Sequence, residues 1–594
     1  MAKSSLELFF AEKNLKTVEN LNFKSENEEI QFLNKLEILI KKDIKIVYIN
    51  NDIAEIISQV NLTDETLQKL KKINWEDFSK IFEENEQDAR KHKIYNNFIT
   101  FLKAELKILH SEKPLIDKTL VDAKKIKGKE QKNEINTELF KLKPHFNIEE
   151  DLREKIEKYN IKVLSDYTLV PKKITVNDFT LYFNRRLQYF TDLLKTRVNM
   201  DNVMRISALK DLYETNTQVS IIGLISDIAE TKNGHFIITI EDKSAEIKCF
   251  INKDKLDLIE KIKNFCLDEG IGVVGKVGKE IIWVDDFVIP APPNQAELKK
   301  TEEEHYVAFI SDIHFGAKVF VDEAFQKLID FLNGETQNEK LNEIAKKIKY
   351  IFIAGDVIEG IGIYPDQGKD ARILSTELQY HESAMWLAQI PSRIAIIIIP
   401  GNHDTTRLSE PQTKLAYEKA YALYNMSNVV MLSNPSIVNL FETKEKEGLD
   451  FYLYHGGSIF YYADKIQHLR EKGGAKVPEE VIKYLLEKRH LAPSHGSTLY
   501  IPDSQNDPLV IRKMPDFFIT GHTHKLSLAN YKGCTIVSCG CWVEMSDYQE
   551  KMGMFPDIGK CVIVNTMTRK PQIINFYTEM HKRQETRDKW IETK

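Results

Sequence analysis

Apolar residues recur at helical spacing near the amino terminus, where Leu6, Phe9 and Phe10 open one stripe and Ile30, Phe32, Leu33, Leu36, Ile38 and Leu39 form another. This spacing predicts a helical N-terminal domain over residues 1–108. From 109 to 173 the chain is rich in Lys and Glu and poor in aromatics, and it carries a basic run at 124–132, so it reads as a charged flexible linker. Apolar residues then fall on nearly every turn from Phe179 to Leu194, with Asn177 or Asp178 placed to cap an amphipathic helix. Beyond it, β-branched runs at 219–225, 235–241, 246–251, 271–277 and 280–284 alternate with turns at Asn233-Gly234 and Gly278-Lys279. A helix over 253–264 separates the third run from the fourth.

Five short strands with a helix between the third and fourth are the plan of an OB-fold β-barrel. Residues 174–292 are therefore expected to hold the amphipathic helix plus that barrel. The barrel has few aromatics beyond Phe236, Phe250 and Trp283 and many acidic residues, which favours protein docking over a nucleic-acid groove. Pro290-Ala-Pro-Pro293 and the charges after it make 293–304 a stiff linker. From Tyr306 onward apolar strands at 306–310, 350–353, 394–399, 451–454 and 517–519 alternate with helices, and strands at 535–538, 561–564 and 573–576 follow. Such a pattern predicts two packed sheets with helices outside, a four-layer α/β/β/α domain over 305–594, in a multidomain α+β protein.

A length of 594 residues fits this division, since one domain usually takes about 100–200 residues. A content of 42% hydrophobic and 29% charged residues is that of a water-soluble globular chain. No apolar run reaches the ~18 residues of a spanning helix, and the first residues lack a secretory pattern, so no membrane partner and a cytoplasmic location are expected. The six cysteines lack paired C-x-x-C spacing and read as buried reduced thiols. The net charge of -6 gives the whole chain no attraction for a polyanion, so any nucleic-acid contact must come from local patches or a partner.

Five short motifs, each following an apolar strand, change the picture from fold to chemistry. They are Asp312-Ile-His314, Gly355-Asp356, Gly401-Asn-His-Asp404, His455-Gly-Gly and Gly521-His-Thr-His524. Each alone is common by chance, but five in order at strand ends, where ligands converge in α/β sheets, point to a metal site. Carboxylate, imidazole and amide donors without thiolate suit Mn²⁺, Fe²⁺, Zn²⁺ or Mg²⁺. Reading Asp356 as a bridge assigns Asp312, His314, Asp356 and His524 to one ion, and Asp356, Asn402, His455 and His522 to the other. Two ions about 3.5–4 Å apart would generate hydroxide near neutral pH and hold a phosphate for in-line displacement. His403 follows Asn402 and is expected to face the substrate as an acid, with Glu359 accepting a hydrogen bond from it. The segment between His455 and His522 is the expected substrate-side loop; Tyr461, Tyr462, Lys465, His468 and Arg470 there either touch substrate or form one wet helix face. His381, His490 and His495 are not expected among the ligands, although His495 could lie on the rim.

These motifs resemble those of the calcineurin-like metallophosphoesterase superfamily. With a barrel directly in front, the stretch Asp178-Phe-x-x-Tyr-Phe-Asn-Arg-Arg186, the run Tyr454-His-Gly-Gly-Ser458 and the segment Arg489-His-Leu-Ala-Pro-Ser-His-Gly-Ser497, the chain is similar to the small subunits of archaeal D-family DNA polymerases, relatives of the eukaryotic B-subunits. The similarity runs from about 174 to the end. It implies a manganese-dependent 3′–5′ exonuclease that proofreads primer ends or single-stranded DNA, bound to the large polymerising subunit in a heterodimer, with other replication proteins as candidates for the N-terminal domain. The eukaryotic relatives have lost metal ligands, whereas all of the expected positions match here. A mainly structural assembly subunit and a stand-alone phosphoesterase are the competing readings.

Overall fold

The computed structural model describes residues 16–17, 26–41, 48–49, 54 and 57 near the amino terminus, and 137–140, 143, 146–168, 173–293, 297–545, 553 and 555–577 thereafter. The chain divides into two compact units, Met1–Glu134 and Ile135–Lys594. In the first, a helix spans Glu26–Lys41 and buries Phe32, Leu36 and Leu39, the apolar stripe seen in sequence. The two-residue strands Lys16–Thr17 and Tyr48–Ile49 pair in parallel. Leu6, Phe9, Phe10 and most of the expected helical region lie outside the described residues.

The second unit begins with a departure from the expected linker. Within 109–173 the structure forms α1 (Ile148–Lys158) and β1 (Ile161–Ser165). Asn147 caps α1 by accepting a hydrogen bond from the Glu150 amide at 3.3 Å. Leu152, Ile156 and Tyr159, obscured in sequence by the surrounding Lys and Glu, face the apolar core, and Ile161 is buried in it. β1 adds an antiparallel edge to a sheet of the last domain. The basic run at 124–132 lies outside the described residues.

Next come α2 (Val176–Leu194), then β2 (Gln218–Glu230), β3 (Phe236–Glu241), β4 (Glu246–Ile251), α3 (Leu256–Ile262), β5 (Gly270–Val277) and β6 (Ile281–Val288). The strands pair in the order β2-β3-β4-β6-β5, and β5 returns antiparallel to β2, closing a five-stranded barrel. Alternate residues such as Ile238, Ile240, Cys249, Ile251 and Val273 fill its interior.

The last domain carries β7 (Tyr306–Ile310), α4 (Asp322–Asn333), β8 (Ile348–Ala354), α5 (Thr376–Leu387), β9 (Ala395–Ile399), α6 (Tyr417–Tyr424) and β10 (Val429–Met431). After them come β11 (Ser436–Leu440), β12 (Leu449–Leu453), α7 (Ile459–Lys465), α8 (Pro478–Lys488), β13 (Phe517–Thr520), β14 (Ser527–Tyr531), β15 (Cys534–Ser538), β16 (Lys560–Asn565) and β17 (Pro571–Asn575). They form two six-stranded sheets, ordered β10-β9-β8-β7-β16-β17 and β14-β15-β13-β12-β11-β1. Phe309, Phe352, Phe451 and Phe517 meet in the core between the sheets, with Phe451 and Phe517 stacked at 4.5 Å. A second core packs α4, α5 and α6 on the outer face of one sheet, and a third packs α7 and α8 on the other. The short strands β10, β11 and β14 were not legible in the sequence pattern.

The long excursion between β12 and β13 ties this domain to α2 and the barrel through buried charges. Arg186 on α2 donates from Nε to Asp507 at 2.8 Å and from Nη1 to the Pro493 carbonyl at 2.5 Å. His490 lies 2.9 Å from the same carboxylate, and Lys488 pairs with barrel residue Glu269 at 2.7 Å. Burial alone would raise the Asp507 carboxyl, but His490 and Arg186 hold it well below the usual carboxylate range. Its stabilising contribution is therefore complete above about pH 4 and is lost as the pH falls towards the depressed folded value. Removing one partner of such a pair strands a buried charge and costs about 3–5 kcal/mol. We expect Asp507→Asn to lower the unfolding free energy by about 3 kcal/mol at pH 7 in denaturant melts, and parental stability would contradict this.

Candidate metal centre

The five motifs come together because their strands are neighbours. β7, β8 and β9 run parallel in one sheet, β12 and β13 run parallel in the other, and all five end at the same edge of the two-sheet stack. Asp312, His314, Asp356, His522 and His524 each adopt a left-handed backbone, with φ between 50° and 67°. That conformation costs a side-chain-bearing residue about 1–2 kcal/mol, and clusters of such residues mark functional sites. Close approach is enforced by two glycines. A Cβ at Gly401 would meet the Asp356 Oδ1 at 2.2 Å, and one at Gly521 would meet the Ser311 Oγ at 1.9 Å.

Three groups of donor atoms result, each within 4.8 Å of one another: Asp312, His314 and His524; His314, Asp356 and His403; and Asp356, His455 and His522. His524 Nε2 lies 3.3 Å from both Asp312 Oδ1 and His314 Nε2. His455 Nε2 lies 3.3 Å from Asp356 Oδ2 and 3.0 Å from Asn402 Oδ1. Main-chain amides fix the carboxylates: His403 N donates to Asp356 at 2.8 Å and His522 N to Asp312 at 3.0 Å.

Hydrogen bonds on the far ring nitrogens aim the imidazoles. His455 Nδ1 donates to the Ala354 carbonyl at 2.8 Å, and His314 Nδ1 donates to Glu359 Oε2 at 3.1 Å. Each leaves its Nε2 lone pair facing inward. The Nε2 atoms of His314 and His524 converge beside Asp312 and Asp356, a donor set that fits a divalent cation. Burial would raise Asp356, but His455 and His403 beside it hold its carboxyl well below the ordinary range. Asp404, the last residue of its motif, turns inward instead. It accepts from the amides of Val357 and Gly401 and from Tyr380 Oη, and burial pushes it up to about 6.

Glu359 does not make the contact expected from sequence. Its carboxylate orients His314, and His403 Nδ1 donates to the Glu359 main-chain carbonyl at 2.7 Å. Burial lowers the affinity of the His403 ring for a proton, although Asp356 and Glu359 oppose this. Among the residues expected on the substrate side, Tyr462 is fully buried and His468 packs near Tyr484, both within the excursion. Lys465 and Arg470 are exposed, and Arg470 donates to the main-chain carbonyls of Asp464 and Lys465. Phe460, one position before the expected Tyr461, is the residue whose ring meets His522, at 5.1 Å. His495 bonds Tyr500 at 2.7 Å and lies against Phe179 and Phe183 of α2. His381 bonds Tyr421, and all six cysteines are free and buried.

Glu410 escaped the sequence reading because a lone buried carboxylate has no motif. Its side chain accepts from Tyr454 Oη at 3.2 Å and lies where a Cβ on Gly457 would meet it at 2.7 Å, so it braces the loop that carries His455. Burial pushes Glu410 up to about 7. No helix among the described residues is long and apolar enough to cross a membrane.

Comparison with known proteins agrees with this geometry. The family model of the calcineurin-like phosphoesterases matches residues 305–526. The DNA polymerase II small subunit of Methanocaldococcus jannaschii is 37% identical over 66% of this chain and 64% of its own length. That of Methanothermobacter thermautotrophicus is 34% identical over 66% of this chain and 78% of its own length. That of Pyrococcus furiosus is 34% identical over 67% and 63%. The match thus spans just under two thirds of the first and third relatives.

Second-layer carboxylates typically change metal affinity 10–100-fold. Glu359→Gln is accordingly expected to weaken Mn²⁺ binding about tenfold in isothermal titration calorimetry, whereas unchanged affinity would show that the His314 contact is dispensable. A calcineurin-like phosphoesterase domain behind a closed five-stranded barrel, with this degree of identity, places the chain in the family of archaeal DNA polymerase II small subunits.

Proposed function

We propose that this chain is the 3′–5′ exonuclease subunit of a two-subunit DNA polymerase, removing nucleotides from mismatched or single-stranded primer 3′ ends. The observation that carries the reading is the convergence of three overlapping donor groups from both sheets, two of which share Asp356. In this reading Asp312, His314, Asp356 and His524 hold one divalent ion, and Asp356, Asn402, His455 and His522 hold the other, with Mn²⁺ preferred. Bound there, the ions supply Lewis acidity and lower the pKa of a water towards neutrality.

The chain's own residues supply orientation and proton handling. Glu359 and the Ala354 carbonyl keep the rings of His314 and His455 in one tautomer. Water attacks the phosphorus of the 3′-terminal nucleotide, the bond to the 3′ oxygen of the preceding nucleotide breaks, and that oxygen takes a proton. His403, with Nδ1 committed to the Glu359 carbonyl, presents Nε2 for this transfer. A phosphodiester anion beside the ring offsets the burial that lowers its proton affinity. The products are a nucleoside 5′-monophosphate and a strand shortened by one residue.

We read the barrel as an OB-fold that, with α2 and the excursion, forms the platform for the large polymerising subunit. Residues 1–108 are the candidate contact for further replication proteins. Asp356→Asn removes the carboxylate shared by both ions. Digestion of a 3′-mismatched primer in Mn²⁺ is expected to fall by at least about 10³-fold, comparable to losing a major electrostatic contributor, while gel filtration with the large subunit still yields a heterodimer. Cleavage at the parental rate would overturn the assignment.

A further inference from the structure

The walls beside the metal centre differ in kind from its floor. On one side, the loop after β8 carries Ile361 and Tyr364, both exposed, and brings the Tyr364 ring beside His403. The Tyr364 ring centroid is 6.1 Å from the His403 ring, tilted by 58°, and a Cβ on Gly360 would meet the His403 carbonyl oxygen at 2.2 Å. On the other side, Phe460 at the start of α7 sets its ring edge-on to His522, 5.1 Å away at 73°. Exposed Leu499 lies beside it: Glu410 N donates to the Leu499 carbonyl at 2.8 Å, and Thr498 lies against Gly457 beside the His455 loop.

The cations on these loops are already engaged. Arg372 pairs with Glu382, Arg407 donates to the carbonyls of Ser409 and Pro411, Lys525 pairs with Asp557, and Lys318 donates to the Lys369 carbonyl. The described walls therefore offer π and apolar surface more than positive charge. A nucleotide chain whose scissile phosphate sat over Asp356 would have the Phe460 and Tyr364 rings on either side of it, beside His522 and His403. Base stacking on aromatic rings is indifferent to base identity but requires the base to be out of a duplex stack.

From this juxtaposition we propose that Phe460 and Tyr364 form a base-stacking subsite on either side of the metal centre, which captures the unpaired nucleobases of a primer 3′ end. The proposal rests on the exonuclease reading and adds the feature that selects its substrate. A paired end keeps its bases stacked on their neighbours and cannot fill the subsite. A frayed or mismatched end can.

Binding of fluorescent single-stranded oligonucleotides to the full chain tests this without turnover, in Ca²⁺. One oligonucleotide ends in two 2-aminopurine nucleotides and the other in two abasic nucleotides. The parent is expected to bind the base-bearing end about tenfold more tightly and to quench its fluorescence. Phe460→Ala should bring that ratio close to one and lose the quench, and Phe460→Trp should keep both; thermal melts confirm that each variant is folded. Tyr364→Ala should lower the ratio and Tyr364→Phe should not, which separates stacking from the hydroxyl's bond to Glu359. Equal affinities in the parent, or a parental ratio in Phe460→Ala, would overturn the subsite. A parent that shows the base preference but removes no nucleotide in Mn²⁺ would instead overturn the exonuclease reading and leave the subsite standing.

Discussion

Asp356 places a carboxylate in the seam where two β-sheets end, out of contact with bulk water, and a charge in that position persists only if other charges or directed dipoles surround it. His314, His403 and His455 surround it here, and the His403 amide holds one of its oxygens in place. Those partners arrive from different strands of both sheets, so the pairing of the sheets and the site are one arrangement. The stack of Phe309, Phe352, Phe451 and Phe517 between the sheets fixes the spacing across which the donor atoms meet. Gly401 and Gly521 then allow the loops to close on the carboxylates where any side chain would collide.

Around this centre the rest of the second unit acts as a frame. The excursion between β12 and β13 leaves the site through His455, forms its own small core, and returns through His522. Along the way it binds α2 through Arg186 and Asp507, and the barrel through Lys488 and Glu269. Two buried ion pairs confer little stability over apolar packing, but they define one relative placement of barrel and catalytic domain. The barrel surface is thereby fixed relative to the metal centre.

Much of this was legible in the sequence because the chemistry sits at strand ends. The apolar runs before Asp312, Asp356, Asn402, His455 and His522 predicted strands, and the donor residues after them predicted a shared edge. The barrel's alternation and turns were equally plain. What could not be read follows from contacts distant along the chain. β1 was hidden in a Lys- and Glu-rich stretch because only its pairing with β11 gives its short apolar set a purpose. Glu359 was assigned to His403 by proximity in the motif, yet the left-handed turn at Asp356 and the path of the following loop direct its carboxylate to His314. Phe460 and Glu410 have no sequence signal of their own; they matter because folding sets one against His522 and the other behind Gly457.

The central claim is that Asp356 is shared by two metal ions held between the sheets. Anomalous diffraction at the manganese edge from crystals of the full chain grown with Mn²⁺ tests it most directly. The account predicts two anomalous peaks, one beside Asp312, His314 and His524 and the other beside Asn402, His455 and His522, with the Asp356 carboxylate between them. A single peak, or peaks away from Asp356, would contradict it.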